Sequence, residues 1–364
     1  MRILLPLDNV GGGGIARFAA GLARALPEHL DAGDFLIVSG SPPSRLAGAN
    51  VEVIPGDMSV RHPVRRVVQQ QSALVAAARQ ADLVHMTDYR APQLVSVPFV
   101  LTVHDVSFLD HPEWYPTHVA VYKRAMLWAS LRKGPSAVVC VSGHSRDRLL
   151  AHHPGIHRRS LVRVIRSGLD APGEVAPGAY SASTAGTAGY FLTVSAIEPR
   201  KNHLGLLDAF CLARREGFAL RWKVAGAAQY GAGPIVDALR EAEGVDVLSR
   251  VSEAELEHLY RNAAFVALPS FEEGFGYPPL EAMDRGIATI CSTGSAFDET
   301  VAGAALQVPS GSTAQWASAL LRLERDAGLR ARVVEAGRER ARQFRWGTAA
   351  RSYVELFREI LPDV

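Results

Sequence analysis

The chain has 364 residues, a mass of 39.2 kDa and a formal net charge of +2 at pH 7. Hydrophobic residues make up 48% and charged residues 21%, which excludes disorder as the main state, and no run of 18 apolar residues is present to form a transmembrane helix. The length predicts about two domains. The three cysteines, Cys140, Cys211 and Cys291, are far apart and argue against a disulfide framework or a cysteine-based zinc site.

Charge is unevenly distributed along the chain. Residues 1–170 contain 19 Lys and Arg against 13 Asp and Glu, whereas the remaining residues contain 20 against 24. This asymmetry favours an anionic partner for the first part of the chain, with drift in surface composition as the alternative. The N-terminal segment lacks the long apolar region and the cleavage site of a signal peptide, so we expect a cytoplasmic protein.

Short apolar runs alternate with helical patterns from one end of the chain to the other. Fully apolar strands between helices are typical of parallel sheets that are covered on both faces, which predicts an α/β fold with doubly wound sheets. Helices are predicted over 15–26 and 64–80. The predicted strands are 2–7, 34–40, 51–55, 81–86, 98–105 and 136–142, followed by 190–196, 221–227, 245–250, 264–270 and 287–293.

A segment of mostly Ala, Gly, Ser, Thr and Pro at 171–189 separates the two series of strands. Such a composition cannot bury a core and is typical of a linker. We therefore expect an N-terminal domain over 1–172, a linker over 173–189, a C-terminal domain over 190–345 and a tail helix over 346–364. Because doubly wound sheets bind ligands beyond the carboxyl ends of their strands, the cleft between the domains is the expected site.

Four glycines at 11–14 separate the first strand from the first helix. They allow close approach of the backbone to a ligand, and a helix N-terminus favours an anion. Gly11, Gly13 and Ala16 fit the dinucleotide fingerprint, but Asp34 precedes the second strand instead of ending it. A tight turn without a ligand is the alternative.

Two further turns carry polar groups at the ends of predicted strands. His104 ends the strand 98–105, where its ring could donate to a sugar hydroxyl or a developing charge; a structural histidine is the alternative. Arg200 and Lys201 follow the strand 190–196. A forked guanidinium beside a point charge suits a diphosphate, and a solvated helix start is the alternative.

The richest motif lies between the strand 264–270 and the next predicted helix. Gly274 and Gly276 would present backbone N–H groups to a phosphate at the helix start. Glu273 and Glu281 are eight residues apart and can hold hydroxyls at two ends of one ligand. The alternative is a capped helix with surface acids.

No D-x-D tripeptide and no H-E-x-x-H motif occurs in the sequence, so no metal is predicted. A bound diphosphate would then be neutralised by helix N-termini together with Arg200 and Lys201.

The segment from Glu273 to Glu281 resembles the E-x7-E signature of the retaining glycosyltransferases of family 4, which have the GT-B fold. The resemblance covers almost the whole chain. The sequences of 102–116 and 198–202, taken together, are most similar to the bacterial mannosyltransferase-like branch. Other segments that carry it are 13–26, 138–150, 194–210, 249–263 and 297–309.

The resemblance implies two Rossmann-like domains that face each other across a cleft and a C-terminal helix, with Trp346, that crosses back to the first domain. One departure is Ala196, because many relatives carry Gly-Arg at 195–196. Arg200 would then replace the second cation of the diphosphate site.

The resemblance also implies a role for each candidate residue. Arg200 and Lys201 would grip the donor diphosphate, Glu273 would bind hydroxyls of the donor sugar, and His104 would lie near the reacting sugar. The remaining donor-binding positions would be Gly13, Gly14, Arg250, Val251, Gly274, Phe275, Gly276 and Glu281, with Glu281 at the ribose and Arg250 and Val251 beside the base.

The function we expect from these residues is a metal-independent retaining transfer of a hexose, most simply mannose from GDP-mannose, to a glycan or lipid-linked glycan in surface polysaccharide or glycoconjugate biosynthesis. The nucleotide sugar is a co-substrate, and no cofactor or nucleic-acid partner is expected. The helix around Tyr122–Trp128 would contact anionic lipid at the inner face of the plasma membrane, with an ordinary helix as the alternative.

Four other functions stay open from the sequence. They are transfer from a UDP- or dTDP-sugar to a small molecule, phosphorolysis or hydrolysis on the same fold, nicotinamide-dependent oxidoreduction, and sugar-nucleotide binding without catalysis.

Overall fold

The computed structural model describes residues 1–7, 13–40, 46, 48–55, 74–91, 94–170 and 189–362. The chain divides into two compact units. The first unit comprises Met1–Asp110, His118–Asp170 and Phe344–Val364, and the second comprises His111–Thr117 and Ala171–Gln343. The predicted linker lies almost wholly outside the described residues, as does the first part of the predicted helix 64–80, of which 74–78 is helical.

The first unit contains one parallel sheet of seven strands in the order β3-β2-β1-β4-β5-β6-β7. Its strands are β1 Arg2–Pro6, β2 Phe35–Gly40, β3 Val51–Pro55, β4 Leu83–Met86, β5 Phe99–Val103, β6 Ala137–Cys140 and β7 Leu161–Val164. Its helices are α1 Gly14–Ala25, α2 Ser107–Asp110, α3 Thr117–Lys133, α4 Gly143–His152 and α12 Trp346–Ile360, with 3-10 turns at Leu26–His29 and Ile156–Arg158.

The second unit repeats the pattern with a parallel sheet of six strands in the order β10-β9-β8-β11-β12-β13. Its strands are β8 Tyr190–Val194, β9 Arg221–Ala225, β10 Val245–Leu248, β11 Ala263–Leu268, β12 Thr289–Thr293 and β13 Leu306–Pro309. Its helices are α5 His203–Arg215, α6 Gly233–Glu241, α7 Glu253–Asn262, α8 Tyr277–Asp284, α9 Ala296–Val301, α10 Thr313–Arg325 and α11 Ala327–Ala341, with 3-10 turns at Pro112–Trp114 and Pro199–Lys201.

The predicted α/β class with doubly wound parallel sheets is confirmed. In each sheet the chain starts in the middle, winds to one edge and returns to the other side of the first strand. The neighbouring strands β8 and β11 therefore lead into helices that leave in opposite directions, which opens a crevice at their carboxyl ends. The strands are apolar because both faces of the sheet are covered.

Each unit has its own apolar core. In the second unit Phe191 on β8 lies between Trp222 on β9 and Phe265 on β11, with ring centroids 5.7 and 5.3 Å away and near-parallel planes. All three side chains are fully buried. The Trp222 indole donates to the Thr193 hydroxyl, which donates in turn to the Ala267 carbonyl, so the polar atoms of this core are satisfied. These contacts fix the position of β8 relative to β11, the two strands whose loops form the candidate site.

The last helix, α12, packs on the first unit. Trp346 lies against two glycines, since a Cβ at Gly21 would be 2.1 Å from its ring and one at Gly168 would be 2.2 Å from its backbone nitrogen. Leu169 pairs with Arg345 in a short parallel bridge. No helix among the described residues is both long and apolar enough to cross a bilayer.

Candidate functional site

The candidate site of the second unit is built on the loops that follow β8 and β11. The β8 loop contains the 3-10 turn Pro199–Lys201, and the β11 loop runs from Pro269 to Gly276. A backbone hydrogen bond of 2.9 Å from the Phe271 N–H to the Arg200 carbonyl joins the two loops. Residues 71 positions apart in sequence thereby meet at the crevice.

Asn202 fixes the turn after Lys201. Its backbone is left-handed, with φ 53°, a conformation that asparagine tolerates better than most residues. Its side-chain amide donates to the carbonyls of Pro269 at 3.2 Å and Ser310 at 2.9 Å. This buried amide therefore ties three loops at the carboxyl edge of the sheet, a role that the sequence did not reveal.

A buried ion pair joins the two loops at the centre of the site. The Lys201 ammonium donates to Glu273 Oε1 at 2.6 Å, and the Ser270 hydroxyl donates to the same oxygen at 2.8 Å. Lys201 is 8% exposed and Glu273 is 9% exposed. At this depth the pair is weakly screened, so either partner would be costly to leave alone.

The charges of the pair affect each other's ionisation. Burial would raise the pKa of the Glu273 carboxyl, but Lys201 and Arg200 more than offset it, so this pKa lies below its usual range. Burial lowers the pKa of Lys201, and the Arg200 charge lowers it further against the opposing effect of Glu273. Glu273 is therefore a carboxylate at neutral pH, a group that accepts hydrogen bonds from sugar hydroxyls.

Arg200 is held beside the pair by a second carboxylate. Its Nε and Nη2 donate to Glu198 Oε1 at 3.1 and 2.9 Å, and its Nη1 donates to the Glu272 carbonyl at 3.0 Å. Nη1 also lies 3.6 Å from Glu273 Oε2. The two cations and two carboxylates form one cluster at the crevice, and Glu198 is a member that the sequence analysis did not assign.

Gly276 immediately precedes the helix α8, in a conformation that a side chain would disturb. Its φ is 90°, and a Cβ would lie 2.5 Å from the Phe297 ring. Gly274 and Phe275 precede it in the same loop, and Phe275 is buried against Tyr277. The glycine therefore lets the chain turn sharply into a helix whose N-terminus lies beyond the end of β11.

The predicted ribose and base positions lie near the same sheet edge. Glu281, one turn into α8, accepts a hydrogen bond of 3.0 Å from the Tyr260 hydroxyl, a partner that the sequence did not indicate. Arg250 follows β10 with a left-handed backbone, φ 61°, and Val251 lies between Arg250 and the N-cap residue of α7, Ser252. β10 and β9 are neighbours in the sheet, so this turn belongs to the carboxyl edge.

In the first unit, the candidate residues also lie where strands end. Gly13, with φ 70°, precedes α1, which begins at Gly14. His104 follows β5, and its Nε2 is 2.8 Å from the Thr87 carbonyl at the end of β4. Burial lowers the pKa of His104, so its ring is neutral at physiological pH. A neutral ring whose Nε2 donates to Thr87 leaves Nδ1 as an acceptor.

The site can therefore bind a polar anionic ligand with hydroxyl groups, because cations, a buried carboxylate and a helix N-terminus converge at one sheet edge. Within the described residues, no group of three or more His, Cys, Asp or Glu is arranged to hold a metal ion.

Comparison with known proteins agrees with this arrangement. A family model described as Glycosyltransferase Family 4 matches residues 12–171, and one described as Glycosyl transferases group 1 matches residues 182–340. The two matches divide the chain between the same two halves as the sheets. The chain therefore belongs to the glycosyltransferases of family 4, which confirms the resemblance that its motifs carry.

Among the relatives of this chain, the O-antigen chain mannosyltransferase B of Escherichia coli is 28% identical over 256 residues. The match covers 68% of this chain and 66% of that protein, just under two thirds of its length. The similarity places this chain near bacterial mannosyltransferases.

Solved structures confirm the two-domain GT-B fold. Sucrose-phosphate synthase from Thermosynechococcus elongatus superposes with a TM-score of 0.77 at 17% identity and covers 100% of both chains. Anabaena Alr3699/HepE in complex with UDP-glucose gives a TM-score of 0.74 at 18% identity, over 99% of this chain and 100% of that one.

Proposed function

We propose that this protein transfers a hexose from a nucleotide-diphosphate sugar, with mannose from GDP-mannose as the specific donor, to a hydroxyl of a glycan or lipid-linked glycan. The transfer would serve the synthesis of surface polysaccharide or glycoconjugate. Family membership and similarity to an O-antigen mannosyltransferase support it. The observation that carries it is the buried Lys201–Glu273 pair between the loops of β8 and β11.

In the proposed reaction, the leaving diphosphate gains negative charge as the glycosidic bond breaks. Arg200, Lys201 and the N-terminus of α8 would stabilise that charge because they are already oriented and partly shielded from water. Glu273 would accept hydrogen bonds from hydroxyls of the donor hexose, which fixes the sugar relative to the cations.

The stereochemistry is part of the proposal. The acceptor hydroxyl would attack the oxocarbenium-like sugar from the face that the diphosphate leaves, and the departing phosphate would take the proton of that hydroxyl. The anomeric configuration of the donor is then retained. Proton NMR of the first product formed, before any mutarotation, distinguishes retention from inversion.

The donor is tested by calorimetric titration of the purified protein with GDP, UDP, dTDP and ADP. We expect GDP to bind best, followed by release of GDP from GDP-mannose when a glycan acceptor is supplied. Tighter binding of UDP or dTDP would contradict GDP-mannose as the donor but would leave the proposed transferase activity in place. Absence of binding by all four nucleotides would contradict the proposed function.

Glu273→Ala tests the central residue. We expect a loss of transfer of about a hundredfold or more, because removal of the carboxylate frees the sugar and leaves Lys201 without its buried partner. Glu272→Ala is the matched control, since the contact of this residue with Arg200 uses its backbone carbonyl. Activity of Glu273→Ala within tenfold of the unmodified protein would refute the assignment.

A further inference from the structure

One side of α3 exposes a stripe of apolar side chains to solvent. Val121, Tyr122 and Trp128 are 61%, 53% and 54% exposed. At helical spacing Val121, Trp128 and Arg132 share a single side, with Tyr122 beside them. Three of the eight large hydrophobic side chains that are exposed among the described residues therefore occur on this one helix. Large apolar side chains that are exposed together on one helix favour an interaction surface.

A groove of about 430 Å³ runs beside the stripe. The Arg132 guanidinium lies over the Trp128 ring, 5.1 Å from its centroid. Across the groove are Arg158 and Arg159, both exposed, in the segment that precedes β7. Within the described part of the chain, neither of these two arginines forms an ion pair. The groove is lined by Trp128, Leu131, Arg132, His153, Gly155, Ile156, Arg158, Arg159 and Ser160.

The charge of this region is strongly one-sided. Between Glu113 and Asp170 the sequence contains ten Lys and Arg but a single acidic residue, Asp147. This excess of nine positive charges contrasts with a net charge of +2 for the whole chain. The positive charge of residues 1–170 is therefore concentrated in the part of the sequence that contains α3 and the segment 152–160.

Neighbouring elements add little negative charge to the groove. Asp110 at the end of α2 is paired with Arg148 and His152 of α4, so its charge is neutralised there. Burial lowers the pKa of His153, and the charges of His152 and Arg124 lower it further, as expected in a positive environment.

We propose that this face, which consists of the exposed side of α3 and the segment 152–160, docks the protein on an anionic lipid bilayer. Exposed aromatic rings at a membrane interface bury their apolar bodies among the acyl chains, while Arg and Lys approach the phosphate headgroups. Neither the apolar stripe nor the basic groove would bind a bilayer firmly alone, and their adjacency supplies both attractions. The inference concerns binding and does not depend on the proposed transferase activity.

Vesicle sedimentation tests the docking face. The full chain is mixed with vesicles of phosphatidylcholine containing phosphatidylglycerol, and with vesicles of phosphatidylcholine alone, without donor or acceptor. We expect sedimentation with the anionic vesicles at low salt, reduced at high salt because the headgroup charge is screened. Arg158→Glu with Arg159→Glu should reduce the partition coefficient about tenfold or more, and Trp128→Ala should also reduce it.

The matched control is Arg215→Glu with Arg240→Glu, two exposed arginines of the second unit. These substitutions make the same change in net charge and should leave sedimentation unchanged. Equal loss in the control pair, equal binding to neutral vesicles, or full binding by the Arg158/Arg159 variant would overturn the proposal. So would a dimer in gel filtration that the Arg158/Arg159 variant abolishes, since the face would then bind a second copy.

Discussion

Two glycines of the second unit separate the effect of backbone strain from that of crowding. Gly276 and Gly294 have nearly the same left-handed φ, 90° and 89°. A Cβ at Gly276 would lie 2.5 Å from the Phe297 ring, whereas one at Gly294 would find no atom within 4 Å. A side chain would therefore be strained by the left-handed backbone at both positions, but it would meet a crowded neighbour only at Gly276.

We predict that Gly276→Ala lowers the free energy of unfolding by about 3 kcal/mol, because strain and overpacking add. Gly294→Ala should lower it by about 1 kcal/mol through strain alone. Urea unfolding followed by circular dichroism measures both variants. Equal losses would show that Phe297 moves aside and that crowding does not hold the α8 start in place.

The sequence was enough to identify individual residues of the site, but not the contacts between them. Arg200, Lys201 and Glu273 were recognised, but their pairing across 72 residues depends on the strand order, which brings β11 beside β8. Ser270 lies inside the recognised motif, yet nothing in a linear pattern shows that its hydroxyl donates to Glu273. Contacts of this kind depend on the packing of distant loops.

At the scale of elements, the packing of α12 on α1 depends on one tryptophan and the absence of a side chain opposite it. The Trp346 ring occupies the space of a Cβ at Gly21, in the middle of α1. A glycine inside a helix is destabilising by about 1 kcal/mol relative to alanine, so its presence here needs the compensation that Trp346 provides.

A double-mutant cycle tests this dependence. Gly21→Ala should destabilise the protein by about 2 kcal/mol or more, because its Cβ overlaps the ring. In a Trp346→Ala background the same change should stabilise by up to about 1 kcal/mol, since only helix propensity remains. Urea unfolding of the four proteins gives the coupling. A Gly21→Ala effect of the same sign in both backgrounds would contradict the packing argument.

His85 links β4 to the same helix. Its ring is fully buried, its centroid is 4.7 Å from that of Tyr353 on α12, and its Nε2 is 2.8 Å from the Thr102 hydroxyl. Burial lowers the pKa of His85 to about 3, and the neighbouring His104 contributes. The folded state therefore keeps this ring neutral in mild acid.

The lowered pKa of His85 predicts acid sensitivity with a definite sign. The unfolded chain binds a proton near pH 6.5 and the folded chain does not, so the stabilisation is present above that pH and falls as the pH decreases toward 3. From pH 7 to pH 5 the loss is about 2 kcal/mol. His85→Leu should remove that part of the pH dependence in urea unfolding at the two pH values. An unchanged slope would contradict it.

The strands that the sequence missed are the last in each sheet. β7, Leu161–Val164, and β13, Leu306–Pro309, lie at sheet edges and are partly exposed. Their apolar runs are interrupted by Arg163 and Gln307, because an edge strand has fewer neighbours and tolerates polar side chains. The buried strands were predictable since two covered faces demand continuous apolar sequence.

At the scale of the whole molecule, both halves of the chain have the same architecture, a doubly wound parallel sheet. Each sheet starts at a central strand and reverses its winding beside it, and in each unit candidate residues follow strands at the carboxyl edge: Gly13 and His104 in the first, Lys201 and Glu273 in the second. The repetition explains why turn motifs were the informative part of the sequence. Ligand-binding groups concentrate at these edges because the strands themselves are committed to the core.

The distribution of charge over the molecule bears on metal dependence. The carboxylates nearest the predicted diphosphate position, Glu198 and Glu273, are already paired with Arg200 and Lys201. A divalent cation would need carboxylates that are free to converge on it. Arg200, Lys201 and the α8 N-terminus can instead neutralise the negative charge of the leaving diphosphate.

We therefore predict that transfer continues in excess EDTA at a rate within about twofold of that with added Mg²⁺. The assay measures release of the nucleoside diphosphate from the donor with acceptor present, and a metal-dependent glycosyltransferase run in parallel shows that chelation is complete. Arg200→Ala should lower the EDTA-resistant rate by about a hundredfold. Full loss of activity in EDTA that Mg²⁺ restores would mean that a metal neutralises the diphosphate and that the cation cluster serves mainly to hold Glu273.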